Sequence, residues 1–485
     1  MTFLVTVHFL SLGCLVMYGL HRLWFIFNWM KIKEQELSKR GTDTLLSFFP
    51  VVTVQLPLFN ERFVAARLID AAAGLNWPKN LLEIQILDDS DDETRHLVDQ
   101  KVAQWKKKGF DIRVIRRKER TGYKAGALSE GLNQAKGEFI AVFDADFLPE
   151  KDFLIQTMGP FKDPSVGMVQ ARWSFLNKES SWLTAVQSIL IGHHFDIEHR
   201  VRYEKNYFFN FNGTAGVWRK RCIVSSGSWQ SDTVTEDLDL SYRAQLNGWR
   251  FVYLHDVSVG SELPATMGSF LRQQQRWATG STQTAIKLIP GIIGSSYSWS
   301  VKREALFHLL SNLCWLMGFF YILTLYPALR FRMGIGPHQI IFYDLPLFMT
   351  SCGAILVYFF IYLAKTRKTT LLFLPLVPLL CIGLTPSIAL ELLFKGMKKG
   401  GVFQRTPKFG FKGTFLRSRL NFYRQINLSS FILNSCFTLY TLLPVLFSWQ
   451  RETWPAIPFL ILFPLSFMLV MIHDVVFVSI RSVHG

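Results

Sequence analysis

Cysteine is scarce in this sequence and is nowhere arranged for metal binding. The 485 residues include six cysteines. Five of them lie in apolar stretches, at Cys14, Cys314, Cys352, Cys381 and Cys436, and none of the six has metal-ligand spacing. The sequence therefore indicates neither a zinc site nor a disulfide framework.

Charged side chains are nearly absent from long parts of the chain. Residues 2–30 carry almost no charge, and after about Ala305 the sequence is mostly apolar blocks separated by basic residues. The blocks have roughly the 20 residues that a membrane-spanning helix needs. Residues 45–295 have the composition of an ordinary globular domain. This distribution predicts a soluble domain inserted between membrane segments.

The chain also lacks a clear signal-peptide cleavage site. Its first apolar segment is too long for a signal-peptide core, so we expect a retained anchor and linker in residues 1–44. Basic residues follow this segment and none precedes it. The positive-inside bias then places the amino terminus outside and the soluble domain in the cytoplasm.

Acidic residues are fewer than basic ones, 36 against 53, and the net charge is +17. The basic residues gather beside the apolar blocks and in one loop, where attraction to anionic lipid headgroups explains them. We therefore expect membrane lipids, and no nucleic acid, as partners.

The soluble part is organised around Phe139–Phe147, an apolar run that ends in Asp144 and Asp146. A run this apolar predicts a strand buried on both faces, and side chains two residues apart point the same way. Both carboxylates then leave the sheet at its carboxyl edge, where they suit a divalent cation holding phosphate oxygens. The alternative is that one acid caps the next helix and the other is solvated.

Strands and helices alternate before this run. Strands are predicted over residues 51–58, 84–87 and 110–115, with helices between them. This alternation indicates a parallel α/β sheet. The second strand ends in Asp88 and Asp89, so both acid pairs are expected at one edge. A later helix begins at Gly122–Ala127 with small residues and Lys124, which suits a phosphate at a positive helix end.

Two further segments carry polar groups of catalytic character. Glu236 and Asp237 precede a helical run, and a carboxylate at a helix start suits a general base, although a helix cap shows the same pattern. Gln273, Arg276 and Trp277 share an amphipathic segment. An amide, a guanidinium and an indole in this arrangement can bind the face of a sugar and a leaving phosphate.

In this order, the motifs resemble the membrane-embedded family 2 glycosyltransferases: cellulose, chitin and hyaluronan synthases and their relatives. The longer blocks are Gln55–Glu61, Leu87–Ser90, Gly122–Ala127, Val169–Trp173 and Phe211–Trp218. They are most similar to the cellulose-synthase-like A group, the mannan and glucomannan synthases. The resemblance covers about residues 50–285 closely and the membrane part loosely, and four ordered motifs are far more specific than one.

The resemblance implies a GT-A fold, a nucleoside diphosphate sugar donor and a divalent cation, Mg²⁺ or Mn²⁺. It implies donor contacts from Asp88, Asp89, Lys124, Asp144, Asp146 and Arg276, with Asp144 and Asp146 also at the metal. It implies acceptor contacts from Asn212, Gly213, Thr214, Gln273 and Trp277. For catalysis it implies a single inverting displacement at Glu236 and Asp237, with Asp237 as the base that deprotonates the acceptor hydroxyl.

The segment His193–His199 contains several possible metal ligands. His194 and Glu198 are one helical turn apart, but the ligand set is incomplete. We therefore expect a structural helix that lines the acceptor path.

Residues 296–485 contain five apolar blocks. They lie at about 305–329, 340–364, 370–394, 427–449 and 455–480. After the third block, Lys395–Arg424 carries nine basic and no acidic residues, so it would violate the positive-inside bias if all three preceding blocks crossed. Pro375, Pro378 and Pro386 interrupt the third block, and we expect this block to lie at the membrane interface. One span then precedes the domain and four follow it, with a basic cytoplasmic loop at 395–426.

Within that loop, the segment Phe403–Lys408, which includes Thr406, is similar to the gating loop that covers the bound nucleotide in the synthases. Arg405 stands where the family has valine. The alternative is a loop of cations that face lipid.

We interpret the sequence as an inverting, processive synthase. It would move a hexose from GDP-mannose, GDP-glucose or UDP-glucose to a growing β-linked polysaccharide and pass the product through its membrane helices. The alternative is a non-processive transferase acting on a lipid such as ceramide or diacylglycerol. Intact acids at every motif argue against a third possibility, an inactive binding or scaffolding protein.

Overall fold

A computed structural model describes residues 2–32, 49–336, 340–401, 405–410 and 428–479. The strands are β1 (Val52–Leu58), β2 (Leu82–Asp88), β3 (Asp111–Ile115), β4 (Phe139–Val142), β5 (Val166–Phe175), β6 (Gly216–Arg219) and β7 (Arg250–Ser261). The helices up to the last strand are α1 (Thr2–Lys31), α2 (Ala65–Ala73), α3 (Thr94–Lys107), α4 (Tyr123–Gln134), α5 (Phe153–Met158), α6 (Trp182–His193), α7 (Arg200–Glu204), α8 (Lys220–Ser225) and α9 (Glu236–Leu246). Those that follow are α10 (Met267–Gly294), α11 (Trp299–Leu310), α12 (Leu313–Met333), α13 (Leu345–Phe348), α14 (Ala354–Thr366), α15 (Leu376–Lys395), α16 (Leu428–Gln450), α17 (Ile457–Leu460) and α18 (Leu462–Ser479).

The seven strands form one sheet in the order β3-β2-β1-β4-β6-β5-β7. The first four strands pair in parallel, as the alternation of strands and helices predicts. β6 is antiparallel to both β4 and β5, so the sheet is mixed rather than wholly parallel. Sequence periodicity does not reveal β6, because its four buried residues are too few to show a repeat.

The parallel half of the sheet is buried on both faces. Val54, Ile84 and Ala141 are completely buried in the strands β1, β2 and β4. One face also carries a buried polar pair, in which Gln55 Nε2 donates to Gln85 Oε1 at 3.0 Å. These two residues are partners in the strand register, and a one-residue slip would move the pair to opposite faces. The register therefore fixes which residues emerge at the carboxyl edge.

The chain is a multi-pass membrane protein. Among the described residues, six helical segments are long and apolar enough to cross a membrane: Thr2–Lys31, Leu313–Met333, Phe342–Thr366, Leu376–Lys395, Leu428–Gln450 and Trp454–His473. The set includes Leu376–Lys395, which the sequence analysis places at the interface. Its prolines do not interrupt the segment as expected, because Pro375 caps the helix and Pro386 is accommodated inside it.

Contacts at both ends of α15 nevertheless favour the prediction that this helix lies at the membrane interface. Arg367, which precedes the helix, donates to Ser188 O at 3.3 Å. Beyond its other end, Lys398 O and Gly400 O accept from Gln283 Nε2 at 2.6 and 2.8 Å. Both ends of α15 therefore contact elements next to the sheet. An even number of membrane crossings must separate the two ends of this helix. The candidate spans Leu313–Met333 and Phe342–Thr366 would then supply one crossing each way, and α15 lies along α10.

Candidate active site

A cavity lies at the carboxyl edge of the sheet and gathers most of the predicted site residues. The predicted residues in its wall are Asp89, Lys124, Asp144, Asp146, Asn212, Gly213, Glu236, Asp237, Gln273, Arg276, Trp277, Thr406 and Lys408. We call it the edge cavity. Asp89, Asp144 and Asp146 converge because the parallel strands β2 and β4 end at one edge. Glu236 and Asp237 reach the same cavity from the start of α9.

Lysines hold the two carboxylates that follow β4. Lys124 Nζ lies 2.6 Å from Asp144 Oδ1 and also donates to Gly213 O at 2.9 Å. Burial of Lys124 opposes its charge, but Asp144 and Glu236 outweigh burial and raise the pKa of the ammonium. Lys408 Nζ lies 2.8 Å from Asp146 Oδ2. Each carboxylate therefore faces one cation on the cavity wall.

Asp237 is a half-buried carboxyl at the start of α9. Burial, followed by the neighbouring Glu236, raises the pKa of Asp237 to about 7, while Lys124 opposes the rise. Leu238 N donates to Asp237 Oδ1 at 2.9 Å and orients the side chain. A carboxyl with a pKa near neutrality both accepts a proton and releases it readily, which suits a general base.

Gly213 lies against Asp237, and this closeness gives a testable prediction. A Cβ at Gly213 would lie 2.8 Å from Asp237 Oδ2, and Gly213 has a φ of +79°. We expect Gly213→Ala to push the carboxylate aside and to lower the rate of glycosyl transfer by at least about tenfold. The measurement is the transfer rate at saturating donor.

Gly109→Ala is the matched control for this substitution. Gly109 also has a φ of +79°, but a Cβ there would meet nothing within 4 Å. Both variants carry the same backbone strain of about 1–2 kcal/mol, so only Gly213→Ala should lose activity beyond what its stability explains. Equal losses in the two variants would contradict contact with Asp237 as the cause.

A second cavity, of about 460 Å³, adjoins the edge cavity and extends among the membrane helices. We call it the helix cavity. Trp173, Ile191, Asn212, Asp237 and Trp277 line both cavities. Five of the six candidate spans contribute residues to its wall. They include α1 and the last candidate span, which contributes Phe463. Asp237 therefore stands at the junction of a charged cleft and a largely apolar passage.

Helix α10 supplies the residues opposite the acids. Gln273 and Arg276 line the edge cavity, and Trp277 borders both cavities. The helix is capped by Thr266 Oγ1, which accepts from Ser269 N at 3.3 Å. Gln275, on its other side, donates to Ser387 O of α15 at 3.0 Å. α15 thus supports the helix that carries these three side chains.

Among the described residues, two of the predicted site residues are not in the cavity wall. Asp88 is buried, where its carboxylate accepts from Arg116 Nε at 2.9 Å and from Ser90 N at 3.1 Å. Thr214 is also buried, and its Oγ1 accepts from Asp144 N at 2.9 Å. Both residues lie behind the cavity wall and support its residues without lining the cavity. Phe403 lies outside the described residues.

Sequence reasoning gave no role to two buried acids of the edge cavity, Glu61 and Glu262. Glu61 pairs with Arg405 at 3.3 Å; burial raises its pKa to about 8, and Arg405 opposes the rise. Glu262 accepts from the backbone N–H groups of Phe409 and Gly410 at 3.0 and 3.1 Å. The position of Glu61 just after β1, at the same edge as Asp89, is the signal that would have revealed it.

These contacts hold segment 405–410 over the edge cavity. The cavity has a volume of about 150 Å³. Pockets for small-molecule ligands and cofactors usually measure about 300–1,000 Å³. Arg405 and Lys408 are part of the wall of this small cavity.

The segment His193–His199 is helical, as expected, and begins a π-helical turn at His194. Among the described residues, no group of three or more histidine, cysteine, aspartate or glutamate side chains could hold a metal ion. Glu198 instead accepts from His194 Nδ1 at 3.0 Å and pairs with Arg22 and Arg202.

Comparison with known proteins identifies the class of this domain. Residues 50–280 match the family model described as "Glycosyltransferase like family 2". This part of the chain is a family 2 glycosyltransferase domain, which confirms the resemblance of its motifs.

Individual relatives show which glycosyltransferases this chain is similar to. "Glucomannan 4-beta-mannosyltransferase 2" of Arabidopsis thaliana is 46% identical over 253 residues, which cover 51% of this chain and 47% of that protein. "Glucomannan 4-beta-mannosyltransferase 1" of Cyamopsis tetragonoloba is 40% identical over 297 residues, which cover 58% and 55%. The chain thus spans about half the length of the curated relatives it matches.

A solved structure supports the fold. A mannosyltransferase from Pyrobaculum calidifontis, in complex with GDP-Man and Mn²⁺, superposes with a TM-score of 0.54 at 19% identity. The match covers 77% of this chain and 98% of that chain. Together with the family match, it confirms the predicted GT-A fold.

Proposed function

We propose that this protein is an inverting β-glycosyltransferase that extends a polysaccharide by one hexose at a time and remains bound to its product. The donor is a nucleoside diphosphate hexose. GDP-mannose is the first choice, because the relatives described above are named mannosyltransferases and the solved structure holds GDP-Man.

The position of Asp237 carries this proposal. The side chain borders both the edge cavity and the helix cavity. A base at this junction can take a proton from an acceptor that enters along the helix cavity while the donor lies among the acids. Since the helix cavity continues between candidate membrane spans, it offers a growing chain a route away from the site.

The edge cavity suits a nucleoside diphosphate with a divalent cation. Asp144 and Asp146 offer carboxylate oxygens, the ligands that Mg²⁺ and Mn²⁺ prefer, and phosphate oxygens and water commonly complete such sites. When bound, the cation would offset negative charge on the diphosphate. Arg276, also in the wall, adds a fixed positive charge beside the leaving group.

The chemical step forms one bond and breaks one. Asp237 takes the proton of the acceptor hydroxyl as its oxygen bonds to the anomeric carbon of the donor. The bond from that carbon to the diphosphate breaks on the opposite face, so the configuration inverts. Trp277, which borders both cavities, offers an indole face on which the terminal sugar can stack.

A product analysis tests the proposal. The purified protein in lipid nanodiscs is incubated with Mn²⁺ and, in separate reactions, radiolabelled GDP-mannose, GDP-glucose or UDP-glucose. We expect a product that lengthens with time, that a β-mannanase degrades, and that stays with its enzyme after a chase with unlabelled donor. A single sugar on an extracted lipid would favour the lipid-acceptor alternative, and turnover of none of the donors would overturn both.

We also propose that the catalytic domain faces the cytoplasm. The basic residues of 395–426 and those that follow α1 support this orientation. Protease accessibility in sealed vesicles of known orientation tests it. Cleavage of the domain from the side opposite the cytoplasm would contradict the assignment.

A further inference from the structure

Two of the three arginines in the connection between β3 and α4 are engaged by acidic side chains of the protein. Arg116 pairs with Asp88 and Asp99, each at 2.9 Å. Arg117 Nε donates to Asp89 Oδ1 at 3.1 Å, and its Nη2 pairs with Oδ2 of the same carboxylate. The described wall of the edge cavity includes neither arginine. These two guanidinium groups are therefore not available to a ligand in that cavity.

The third arginine, Arg120, lines the edge cavity together with Phe59 and Asp89. Its guanidinium carbon lies 3.4 Å from the centroid of the Phe59 ring, so the group stacks on that ring as a cation–π contact. Arg120 Nε lies 4.0 Å from Asp89 Oδ2, which is too long for a hydrogen bond. This nitrogen is buried and has no hydrogen-bond partner among the described residues. Arg120 is therefore placed by a ring contact and keeps donors for a ligand.

The order of the strands places Arg120 at the nucleoside end of the edge cavity. The strands β3, β2, β1 and β4 are neighbours in this order. Arg120 follows β3, Asp89 follows β2 and Phe59 follows β1, whereas Asp144 and Asp146 follow β4. Two strand spacings, about 10 Å in all, separate β4 from β2. This separation suits a nucleotide whose diphosphate lies at the β4 acids and whose base reaches Asp89 and Arg120.

Asp89 and Arg120 present complementary groups to a base in this position. Each carboxylate oxygen has two lone pairs, so Asp89 can accept further hydrogen bonds beside those from Arg117. Guanine carries a pair of donors, N1–H and the 2-amino group, next to a pair of acceptors, O6 and N7. A guanidinium binds O6 and N7 together. Uracil has a single acceptor, O4, at that edge, and adenine has an amino group in place of O6, so guanine is the base that satisfies both side chains.

We propose that Arg120 makes the site selective for a guanosine diphosphate sugar, because it donates to O6 and N7 of the base while Asp89 accepts from N1–H and the 2-amino group. This inference rests on the proposed function and adds the residue that determines the nucleotide. The motifs that carry the family resemblance do not contain Arg120, since the nearest of them begins at Gly122. The sequence patterns themselves leave UDP-glucose open as a donor.

Nucleotide binding by the full chain in nanodiscs tests the inference without any turnover. Calorimetry in the presence of Mn²⁺ compares GDP, UDP and 7-deaza-GDP, in which a C–H group replaces N7. We expect the unmodified protein to bind GDP at least about tenfold more tightly than either of the others, since 7-deaza-GDP loses a hydrogen bond from a charged group. Equal affinity for GDP and 7-deaza-GDP would overturn the contact with N7.

Arg120→Ala completes a cycle with the same three nucleotides. The variant should bind GDP about tenfold more weakly than the unmodified protein does, and it should no longer distinguish GDP from 7-deaza-GDP, because the partner of N7 is gone. A variant that keeps the preference for GDP over 7-deaza-GDP would assign N7 to another residue and overturn the proposal.

Lys118→Ala is the matched control. Lys118 is an exposed lysine two residues earlier in the same connection, and its replacement removes the same charge from the same part of the chain. Binding of all three nucleotides should stay unchanged, which separates recognition of the base from general attraction of basic residues for a diphosphate. Equal losses in the two variants would contradict base recognition by Arg120. Circular dichroism should show that both variants fold.

The donor assay separates this inference from the proposed function. Transfer from UDP-glucose, but from neither GDP-mannose nor GDP-glucose, would overturn the role of Arg120 while the glycosyltransferase function stands. Failure of the proposed function is distinguishable, because the unmodified protein would then turn over none of the donors, whatever the nucleotide-binding results.

Discussion

Replacing Asp237 with Asn should lower kcat for sugar transfer by about a thousandfold, within the range of 10²–10⁴ that general-base catalysis contributes. The amide keeps the size of the side chain and can still accept from Leu238 N, but it cannot take the acceptor proton. GDP binding, measured by calorimetry on the same preparation, should stay within about threefold of the unmodified protein. A variant that retains a tenth of the activity would rule out Asp237 as the base.

The pH profile gives a second view of the same residue. With a pKa of about 7, Asp237 is a carboxylate only above that pH, so kcat/KM should fall tenfold per pH unit below it. Glu236 raises the pKa of Asp237, so Glu236→Gln should move this acid limb to lower pH. An unmoved limb in Glu236→Gln would assign the titration to another group.

Replacing Asp146 with Asn should raise the Mn²⁺ concentration needed for half-maximal activity by at least about tenfold, since a neutral amide is a weaker ligand than a carboxylate. The variant should keep its fold, because an amide oxygen can still accept from Glu262 N, which lies 3.1 Å from Asp146 Oδ2. Electron paramagnetic resonance of bound Mn²⁺ measures the change without any turnover.

Asp152→Asn is the control for this change. Asp152 is an exposed acid six residues later in the chain that accepts from Asn76 Nδ2 at 2.5 Å. It should leave Mn²⁺ binding as it is. Wild-type Mn²⁺ binding by Asp146→Asn would exclude this residue as a metal ligand.

The sequence predicts the acid-rich edge well because a simple geometric rule applies there. A buried parallel strand has a readable apolar run, and an acid just beyond it must emerge at the edge. Asp89, Asp144 and Asp146 follow this rule. Asp88 shows its limit, since a residue one position earlier turns inward to Arg116 although its sequence context is nearly the same.

Contacts that depend on distant segments were not predictable. Glu61 meets Arg405 across more than three hundred residues, and no local pattern marks either as the partner of the other. Glu262 binds two backbone N–H groups, which have no side-chain signature at all. The antiparallel strand β6 was not predicted for a different reason. Its pairing is decided by the neighbouring strands rather than by its own four residues.

The support of α10 by α15 limits how this protein can be divided into fragments. Gln275 of α10 donates a hydrogen bond to Ser387, and Gln283 donates to a residue that follows α15. An excised fragment ending near Gly294 would retain the sheet and its acids but lose this brace and most walls of the helix cavity. Such a fragment is expected to behave as a nucleotide-sugar receptor, able to capture its donor yet unable to build a polymer.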